Sequence, residues 1–193
     1  MNFILATTND HKHQELEALM PNINLVKAKE MVEVDENEPT FLGNALLKAQ
    51  ALYEQLKTPI IADDSGLCVE AMDNKPGVKT ARYGSDIFNR ILESPERNDY
   101  LLSNLKGVKN RNASFVCCLI AFISPNRIYS VTEEVKGQIT INQMGSDGFG
   151  YDPIFFIPEL NKTMAELDPD IKGLYSHRGK AARAMNLLLE NIK

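Results

Sequence analysis

Residues 60–72 read IIADDSGLCVEAM, and this stretch governs the interpretation of the whole chain. The apolar residues 60–62 predict a buried strand. Two adjacent acids, Asp63 and Asp64, stand at its predicted end, before a second apolar run at 67–72. Because side chains alternate between the faces of a strand, the two acids must point in opposite directions. We expect one carboxylate to enter a cleft and the other to bind backbone or neighbouring side chains. An ordinary turn is the alternative, since Asp, Ser and Gly are common in turns.

Length and composition predict one α/β domain over residues 1–193. The chain is 44% apolar and 24% charged, which is close to the globular average. Its formal net charge of -5 argues against nonspecific binding to nucleic acid or to a membrane surface. No apolar run approaches the ~20 residues that span a bilayer, and the N-terminus has no basic leader. Three cysteines, two of them adjacent at 117–118, suit buried reduced thiols better than a disulfide framework or a zinc site. We therefore expect a cytoplasmic protein.

Apolar periodicity predicts the order of strands and helices. Helices are expected from Thr40 to Leu56 and from Ala181 to Ile192, and a helical region at 87–105 is interrupted near Pro95. Strands are expected at 3–6, 24–26, 113–123 and 127–135, the last two joined in a hairpin by Pro125-Asn126.

A polar segment follows the first predicted strand and consists of Thr7, Thr8, Asn9, Asp10, His11 and Lys12. A helical pattern begins directly after it. A strand, a polar turn and a helix N-terminus together suit an anion, because the first turn of a helix has free N–H groups. The glycines of a Walker loop are absent, and an ordinary helix cap by Thr or Asn is the alternative.

Several acids precede the helix that starts at Thr40, among them Glu33, Asp35, Glu36 and Glu38. A charge run of this kind is usually a solvated loop. Within the helix, Asn44 and Lys48 are four residues apart and therefore share one face. That face is either an exposed polar stripe or a surface turned towards a cleft.

The segment Gly145–Pro153, which we call the aromatic loop, holds three glycines, two aromatics and two acids. Glycines allow the backbone to approach a ligand closely, and an aromatic side chain offers a stacking face for a base. We expect a ligand loop here, with a flexible surface turn as the alternative.

Ser176, His177 and Arg178 stand at the N-terminus of the last predicted helix. Basic side chains there oppose the helix dipole. We therefore expect His177 and Arg178 to bind an anion or a purine edge, and two solvated polar residues are the alternative.

Together these segments resemble the noncanonical purine nucleoside triphosphate pyrophosphatase family, which contains inosine triphosphatase. The similarity covers essentially the whole chain, and the motifs occur in the family's order at 7–12, 40–49, 62–67 with 76–83, 148–155 and 176–181. One position departs from the pattern: Thr8 stands where many members have glycine, which affects the backbone path of that loop.

The resemblance implies a mixed α/β fold, with a twisted sheet and flanking helices, in which two lobes flank a deep nucleotide-binding cleft, and it implies a homodimer. It also implies Mg²⁺-dependent hydrolysis of ITP, dITP and XTP to the monophosphate and pyrophosphate. Asp64 would be the general base and a metal ligand. Glu36 would be the second metal carboxylate, with Glu33, Asp35 and Glu38 as neighbouring alternatives. The substrate contacts implied are Thr7, Thr8, Asn9, Asp10, His11, Lys12 and Ser65 for the phosphates, and Phe149, Gly150, Tyr151, Asp152, Lys172, His177 and Arg178 for the sugar and the base.

Three other functions compete with this hypothesis. A related pyrophosphatase could act on pyrimidine or modified nucleotides, because similar clefts host different bases. A haloacid-dehalogenase-type phosphatase is disfavoured, since the Asp-x-Asp nucleophile motif is absent from the central stretch. A nucleotide sensor without turnover would bind the same ligands but release no pyrophosphate.

Overall fold

The computed structural model describes residues 2–30 and 32–191. The strands are β1 (Asn2–Ala6), β2 (Asn24–Lys27), β3 (Ile60–Val69), β4 (Lys75–Pro76), β5 (Asn112–Ser124), β6 (Arg127–Ile139), β7 (Phe155–Ile157) and β8 (Lys162–Thr163). The helices are α1 (Asp10–Leu19), α2 (Phe41–Leu56), α3 (Ser85–Phe88), α4 (Ser94–Asn104), α5 (Pro169–Tyr175) and α6 (His177–Glu190). The strands form one mixed sheet in the order β2-β1-β3-β5-β6-β7-β8, and β4 pairs with β3. The predicted mixed α/β fold is confirmed.

The chain divides into two compact units. The first contains the described residues of Met1–Asp64, Cys117–Glu133 and His177–Lys193, and the second contains Ser65–Val116 and Glu134–Ser176. The predicted cleft between lobes, and the single functional domain over 1–193, stay predictions.

The first unit has an apolar cluster on each face of its sheet. One cluster joins strand residues to α1 and α6 and includes Ile61, whereas the other joins them to α2 and includes Ile60 and Ala62. Strand β1 runs parallel to β2 and to β3, with Leu5 opposite Ile61. Because the strand alternates, Asp63 continues the face of Ile61 and Asp64 continues the face of Ala62. The two acids therefore point to opposite sides of the sheet, as predicted.

Helix α2 packs against one of these faces, and local interactions define both ends of the helix. The side chain of Thr40 accepts a hydrogen bond from the N–H of Gly43 at 3.0 Å and so caps the first turn. Ala45, Ala49 and Leu52 recur at helical spacing and are fully buried. The helix ends at Leu56, and the capping residue after it, Lys57, adopts a left-handed backbone.

The second unit has its own apolar core. Strand residues Leu67 and Val69 of β3 belong to it, together with Tyr151 and Phe155. The ring of Phe155 lies 4.4 Å, centroid to centroid, from that of Phe115, a separation at which aromatic pairs attract each other. This core anchors the aromatic loop, since Tyr151 belongs to both.

The strand end predicted at residues 63–66, and the turn offered as its alternative, are both wrong. Strand β3 continues without interruption from Ile60 to Val69. The preference of Asp, Ser and Gly for turns is local. The apolar residues at one end of β3, in contrast, are buried in the two clusters of the first unit, and those at the other end are buried in the core of the second unit. A turn would remove one set from its core, so the tertiary contacts prevail.

Helix boundaries differ from the sequence predictions in several places. Helix α1 begins at Asp10, within the polar segment 7–12 and not after it. The interrupted helix at 87–105 is two separate helices, α3 and α4, with Pro95 in the first turn of α4. Helix α5 was not predicted. The last helix begins at His177, four residues before the predicted start, and its predicted end at Ile192 lies outside the described residues. The hairpin at Pro125-Asn126 is confirmed.

Candidate functional site

Asp63 lies at the centre of a group of charged side chains in the first unit. We call this group the charged cluster; it consists of Lys12, Glu15, Glu36, Lys48, Asp63, Asp64 and Arg178. Asp63 is 1% exposed, and its Oδ2 lies 2.8 Å from Lys12 Nζ and 3.7 Å from Arg178 Nη2. Burial alone would raise the pKa of Asp63, but Lys12, Arg178 and the charge of Lys48 together outweigh it and hold the pKa far below its ordinary value. Asp63 therefore stays ionised and holds two cations in place.

Asp64 points to the other face of the sheet, towards α2. Its Oδ2 accepts a hydrogen bond from Asn44 Nδ2 at 3.1 Å, and its Oδ1 lies 3.9 Å from Lys48 Nζ. Burial raises the pKa of the Asp64 carboxyl, and the neighbouring cations offset only part of that effect. The helix face shared by Asn44 and Lys48 thus meets the predicted catalytic acid, so it is not an exposed stripe.

The ammonium of Lys48 is shared by Asp64 and Glu36. Its Nζ lies 3.1 Å from Glu36 Oε2, and the Lys48 side chain is 10% exposed. Burial would lower the pKa of Lys48, but the surrounding carboxylates outweigh that effect and raise the pKa. Two carboxylates therefore converge on one cation. The three alternative acids, Glu33, Asp35 and Glu38, have exposed side chains.

This pair of carboxylates suits a divalent metal. Within residues 2–30 and 32–191, no group of three or more His, Cys, Asp or Glu side chains is arranged to hold a metal ion. Mg²⁺ does not require such a group, since it usually takes one or two carboxylates together with waters and substrate phosphates. The oxygen atoms of Glu36 and Asp64, already gathered around a positive charge, fit that donor set.

Arg178 connects the start of α6 to α1. Its Nη1 lies 2.6 Å from Glu15 Oε2, and its side chain is 3% exposed. Burial would lower the pKa of Arg178, but the carboxylates of Glu15 and Asp63 raise it. Sequence reasoning missed Glu15, because its partner is 163 residues away along the chain. Neighbouring His177 is also buried.

The N-terminal loop combines a helix cap with one member of the charged cluster. Asn9 Oδ1 accepts a hydrogen bond from the N–H of Lys12 at 3.2 Å, and Thr7 Oγ1 accepts one from the N–H of Asn9. The Lys12 side chain reaches Asp63, whereas Asp10 pairs with Lys27 of β2, outside the cluster. Thr8 and His11 are exposed. The cap and the cationic site are therefore both present in this loop.

In the second unit, the aromatic loop is held by Asp152. The Oδ2 atom of Asp152 accepts hydrogen bonds from the N–H of Phe149 at 2.9 Å and from Lys172 Nζ at 2.8 Å. Lys172 also lies 5.1 Å from the centroid of the Phe149 ring, within the range of a cation–π interaction. Gly148 has a positive φ of +78°, and a Cβ there would come 2.2 Å from Asp152 Oδ2. The loop can take this path only with glycine at that position.

The two aromatics of the loop have different surroundings. Tyr151 is 1% exposed, packs in the core, and donates its hydroxyl to Thr80 O at 3.1 Å. Its ring is therefore not accessible for stacking on a base. A contact between the substrate and the backbone of Tyr151 stays a prediction. Phe149 is half-buried, so its ring is the better candidate for a base. Ser65, next in sequence to Asp64, is half-buried, and its predicted phosphate contact stays a prediction.

Fold and geometry together define a mixed α/β protein whose charged cluster suits a metal ion and an anionic ligand. Among the described residues, no helix is long and apolar enough to cross a membrane.

Comparison with known proteins identifies the family. The model of the Ham1 family matches residues 3–187, and the chain belongs to that family. It is 46% identical over 184 residues to a dITP/XTP pyrophosphatase of Treponema denticola, covering 94% of each chain. It is 42% identical over 198 residues to a dITP/XTP pyrophosphatase of Clostridium tetani, covering 98% of this chain and 95% of that protein. The solved structure of the Staphylococcus aureus Ham1 protein superposes with a TM-score of 0.88 at 34% identity and covers 100% of both chains. These findings confirm the resemblance inferred from the motifs.

Proposed function

We propose that this protein hydrolyses dITP, ITP and XTP to the nucleoside monophosphate and pyrophosphate in a Mg²⁺-dependent reaction. The activity in the names of its relatives supports this proposal. The observation that carries it is the convergence of Asp64 and Glu36 on a single cation, Lys48, beside the ion pair of buried Asp63 with Lys12. Hydrolysis of a phosphoanhydride requires a site of this kind, because its main obstacle is concentrated negative charge.

Glu36 and Asp64 would hold the metal. Bound there, Mg²⁺ would neutralise phosphate charge and lower the pKa of a coordinated water. Asp64, kept ionised beside the metal, would accept a proton from the attacking water. Lys12 and Lys48 would stabilise the negative charge of the departing pyrophosphate.

Asp63 would act on the reaction through its neighbours. It fixes the positions of Lys12 and Arg178, and their charges in turn keep Asp63 ionised. Removing Asp63 would leave a buried guanidinium with one carboxylate fewer, so its contribution is to preorganise the cations. Asp64 and Asp63 thus have separate functions although they are adjacent.

Contacts to the sugar and the base are assigned by the resemblance to Phe149, Asp152 and Lys172, with Gly150, Tyr151, His177 and Arg178. Hypoxanthine and xanthine carry a carbonyl acceptor at the purine 6-position, where adenine carries an amino donor. The ammonium of Lys172, oriented by Asp152 at 2.8 Å, would meet the carbonyl but not the amino group. An unpaired polar group costs about 1–3 kcal/mol. Guanine shares the carbonyl and must be rejected at its 2-amino group.

Pyrophosphate release from ITP, dITP, XTP, GTP, ATP and dTTP, measured with and without Mg²⁺, tests the proposal. We expect Mg²⁺-dependent release from the first three only. Asp64→Asn should abolish release, whereas Asp86→Asn, an exposed acid on α3, should leave it unchanged. A preference for dTTP would contradict the assignment of the base contacts to a purine. Nucleotide binding without pyrophosphate release would favour a nucleotide sensor.

We also propose that the protein works as a cytoplasmic homodimer. The resemblance supports the dimer, and the three free cysteines, two of them buried, suit a reducing compartment. Light scattering after size-exclusion chromatography would measure the mass directly, and a monomer at working concentration would refute the dimer.

A further inference from the structure

Helix α4 carries two adjacent buried polar side chains outside the charged cluster. Arg97 is 8% exposed and Asn98 is 1% exposed. Burying such groups is unfavourable unless they are hydrogen-bonded. The start of α4 is fixed by a capping box between Glu93 and Glu96, so both side chains project from a well-defined helical turn. The contacts of the two side chains show which segment of the chain this helical turn binds.

The side chain of Asn98 binds the backbone of the aromatic loop. Its Nδ2 donates to Gly150 O at 3.0 Å and to Gln143 Oε1 at 3.1 Å. The orientation of the amide follows from Gly150, whose carbonyl can only accept. Within the described part of the chain, Asn98 Oδ1 has no hydrogen-bond partner. An apolar residue would avoid that buried unpaired acceptor, so the donor to Gly150 is the feature that favours asparagine here.

Arg97 holds the next residue of the loop. Its guanidinium carbon lies 5.3 Å from the centroid of the Tyr151 ring, within cation–π range. Its Nη1 donates to Ala81 O at 2.9 Å and to Leu92 O at 3.1 Å, which fixes the guanidinium beneath the ring. The Tyr151 hydroxyl is fixed in turn by Thr80 O. Two consecutive loop residues are therefore clamped, one by its carbonyl and one by its ring.

We propose that Asn98 and Arg97 are positioning residues that set the base selectivity of the aromatic loop. Gly150 and Tyr151 stand between Phe149 and Asp152, so clamping them fixes the direction in which the Phe149 ring and the Asp152 carboxylate are presented. This inference rests on the proposed function, in which that loop contacts the purine.

Rigidity matters because selectivity here depends on leaving a wrong base unpaired. A mobile loop could shift to meet either a carbonyl or an amino group, and the difference in affinity would shrink. A clamped loop cannot adapt, so the mismatch keeps its full energetic effect. Loosening the clamp should therefore reduce discrimination and ground-state binding while leaving the chemical step largely intact.

Steady-state kinetics of Asn98→Ala with dITP and dATP, which differ at the purine 6-position, test the proposal. We expect the dITP-to-dATP ratio of kcat/KM to fall by about threefold to tenfold, the effect of one lost hydrogen bond, mainly through KM for dITP. Asn104→Ala is the matched control: Asn104 is an exposed asparagine of the same helix whose Nδ2 donates to the Tyr83 hydroxyl at 2.9 Å. Its ratio should stay within about twofold of the wild-type value, as expected for a surface contact.

Asn98→Asp is the second variant, since it keeps the side-chain volume but places an acceptor against the Gly150 carbonyl. Hydrogen–deuterium exchange of the peptide covering 145–153 provides a readout without turnover, and it should be faster in both Asn98 variants than in Asn104→Ala. Folded variants with unchanged selectivity and unchanged exchange would overturn the proposal. Failure of both variants to fold would make Asn98 a structural residue and would also overturn it. If the wild-type protein releases no pyrophosphate from dITP, the proposed function fails, and the exchange measurement still decides whether Asn98 clamps the loop.

Discussion

Changing either of two adjacent acids to its amide should lower activity, but the two changes should differ in their effect on stability. Asp63→Asn removes a carboxylate that is 1% exposed and lies 2.8 Å from Lys12 and 3.7 Å from Arg178. Asp64→Asn removes a carboxylate whose pKa is raised by burial. Both substitutions replace a carboxylate by an amide, and they lie at neighbouring positions of one strand. Any difference between the variants therefore reports the surroundings of the two side chains.

The expected loss of stability for Asp63→Asn is large. Removing one partner of a buried ion pair costs about 3–5 kcal/mol, because the other charge stays buried. For a chain of this size, each kcal/mol lowers Tm by about 2–4 °C, which gives a decrease of about 6–20 °C. Turnover measured below that Tm should also fall, because Lys12 and Arg178 lose the group that fixes them.

The expected change in stability for Asp64→Asn is small or favourable. A group whose pKa is raised on folding destabilises the folded state when it is ionised at neutral pH, so removing the charge relieves that effect. The new amide oxygen can still accept the hydrogen bond from Asn44. We expect Tm within about 3 °C of the wild-type value or above it, as for other functional residues held in strained surroundings. Turnover should be lost, because the base is gone.

Thermal melts in EDTA at pH 7.5, with pyrophosphate release assayed in Mg²⁺ at a temperature where both variants are folded, would measure both quantities. EDTA removes the contribution of metal binding to Tm. Equal losses of Tm in the two variants would contradict the separation of roles, as would an active Asp64→Asn enzyme. A stable Asp63→Asn would show that the cations do not depend on that carboxylate.

Three further predictions concern other parts of the molecule. Gly148→Ala should lower Tm and pyrophosphate release more than Gly107→Ala, because both glycines have φ +78° but only the first would place a Cβ 2.2 Å from Asp152 Oδ2; equal effects would mean that backbone strain alone matters. Lys172→Ala should raise KM for dITP by about tenfold, through loss of a charge-assisted hydrogen bond, and an unchanged kcat/KM would exclude a contact there. Iodoacetamide at pH 8 should leave Cys117 unmodified in the folded protein, because burial raises the pKa of that thiol to about 12; mass spectrometry showing its modification before unfolding would contradict this.

The opposite directions of Asp63 and Asp64 could be predicted from sequence, because strand alternation depends only on backbone geometry. The shared face of Asn44 and Lys48 followed in the same way from helical periodicity. What these patterns could not show was the continuity of β3 through Gly66. Turn preferences are local, whereas the strand is held by two separate cores, and one sequence without its tertiary contacts contains only the first kind of information.

The supporting residues escaped prediction for a related reason. Glu15 is 163 residues from Arg178, and Asn98 is 52 residues from Gly150. Neither residue stands in a motif or beside one, and each is an ordinary polar position on its own helix. Only the packing of α1 against α6, and of α4 beneath the aromatic loop, gives them a function.

The register of β3 connects the fold to the proposed chemistry. A carboxylate that must stay ionised requires cations close by, whereas one that accepts a proton requires surroundings that do not over-stabilise its charge. Two neighbouring residues can satisfy both requirements only if they face different surroundings, and alternation along a strand achieves this. A one-residue insertion before Asp63 would exchange the faces of all the residues that follow. It would turn Asp63 towards the face of α2 and Lys48, and it would turn Asp64 towards the face of Lys12 and Arg178, two residues beyond the position that those cations now contact. The acid that accepts the proton would then lie on the wrong face of the sheet. The uninterrupted strand is therefore required for the division of roles between the two acids.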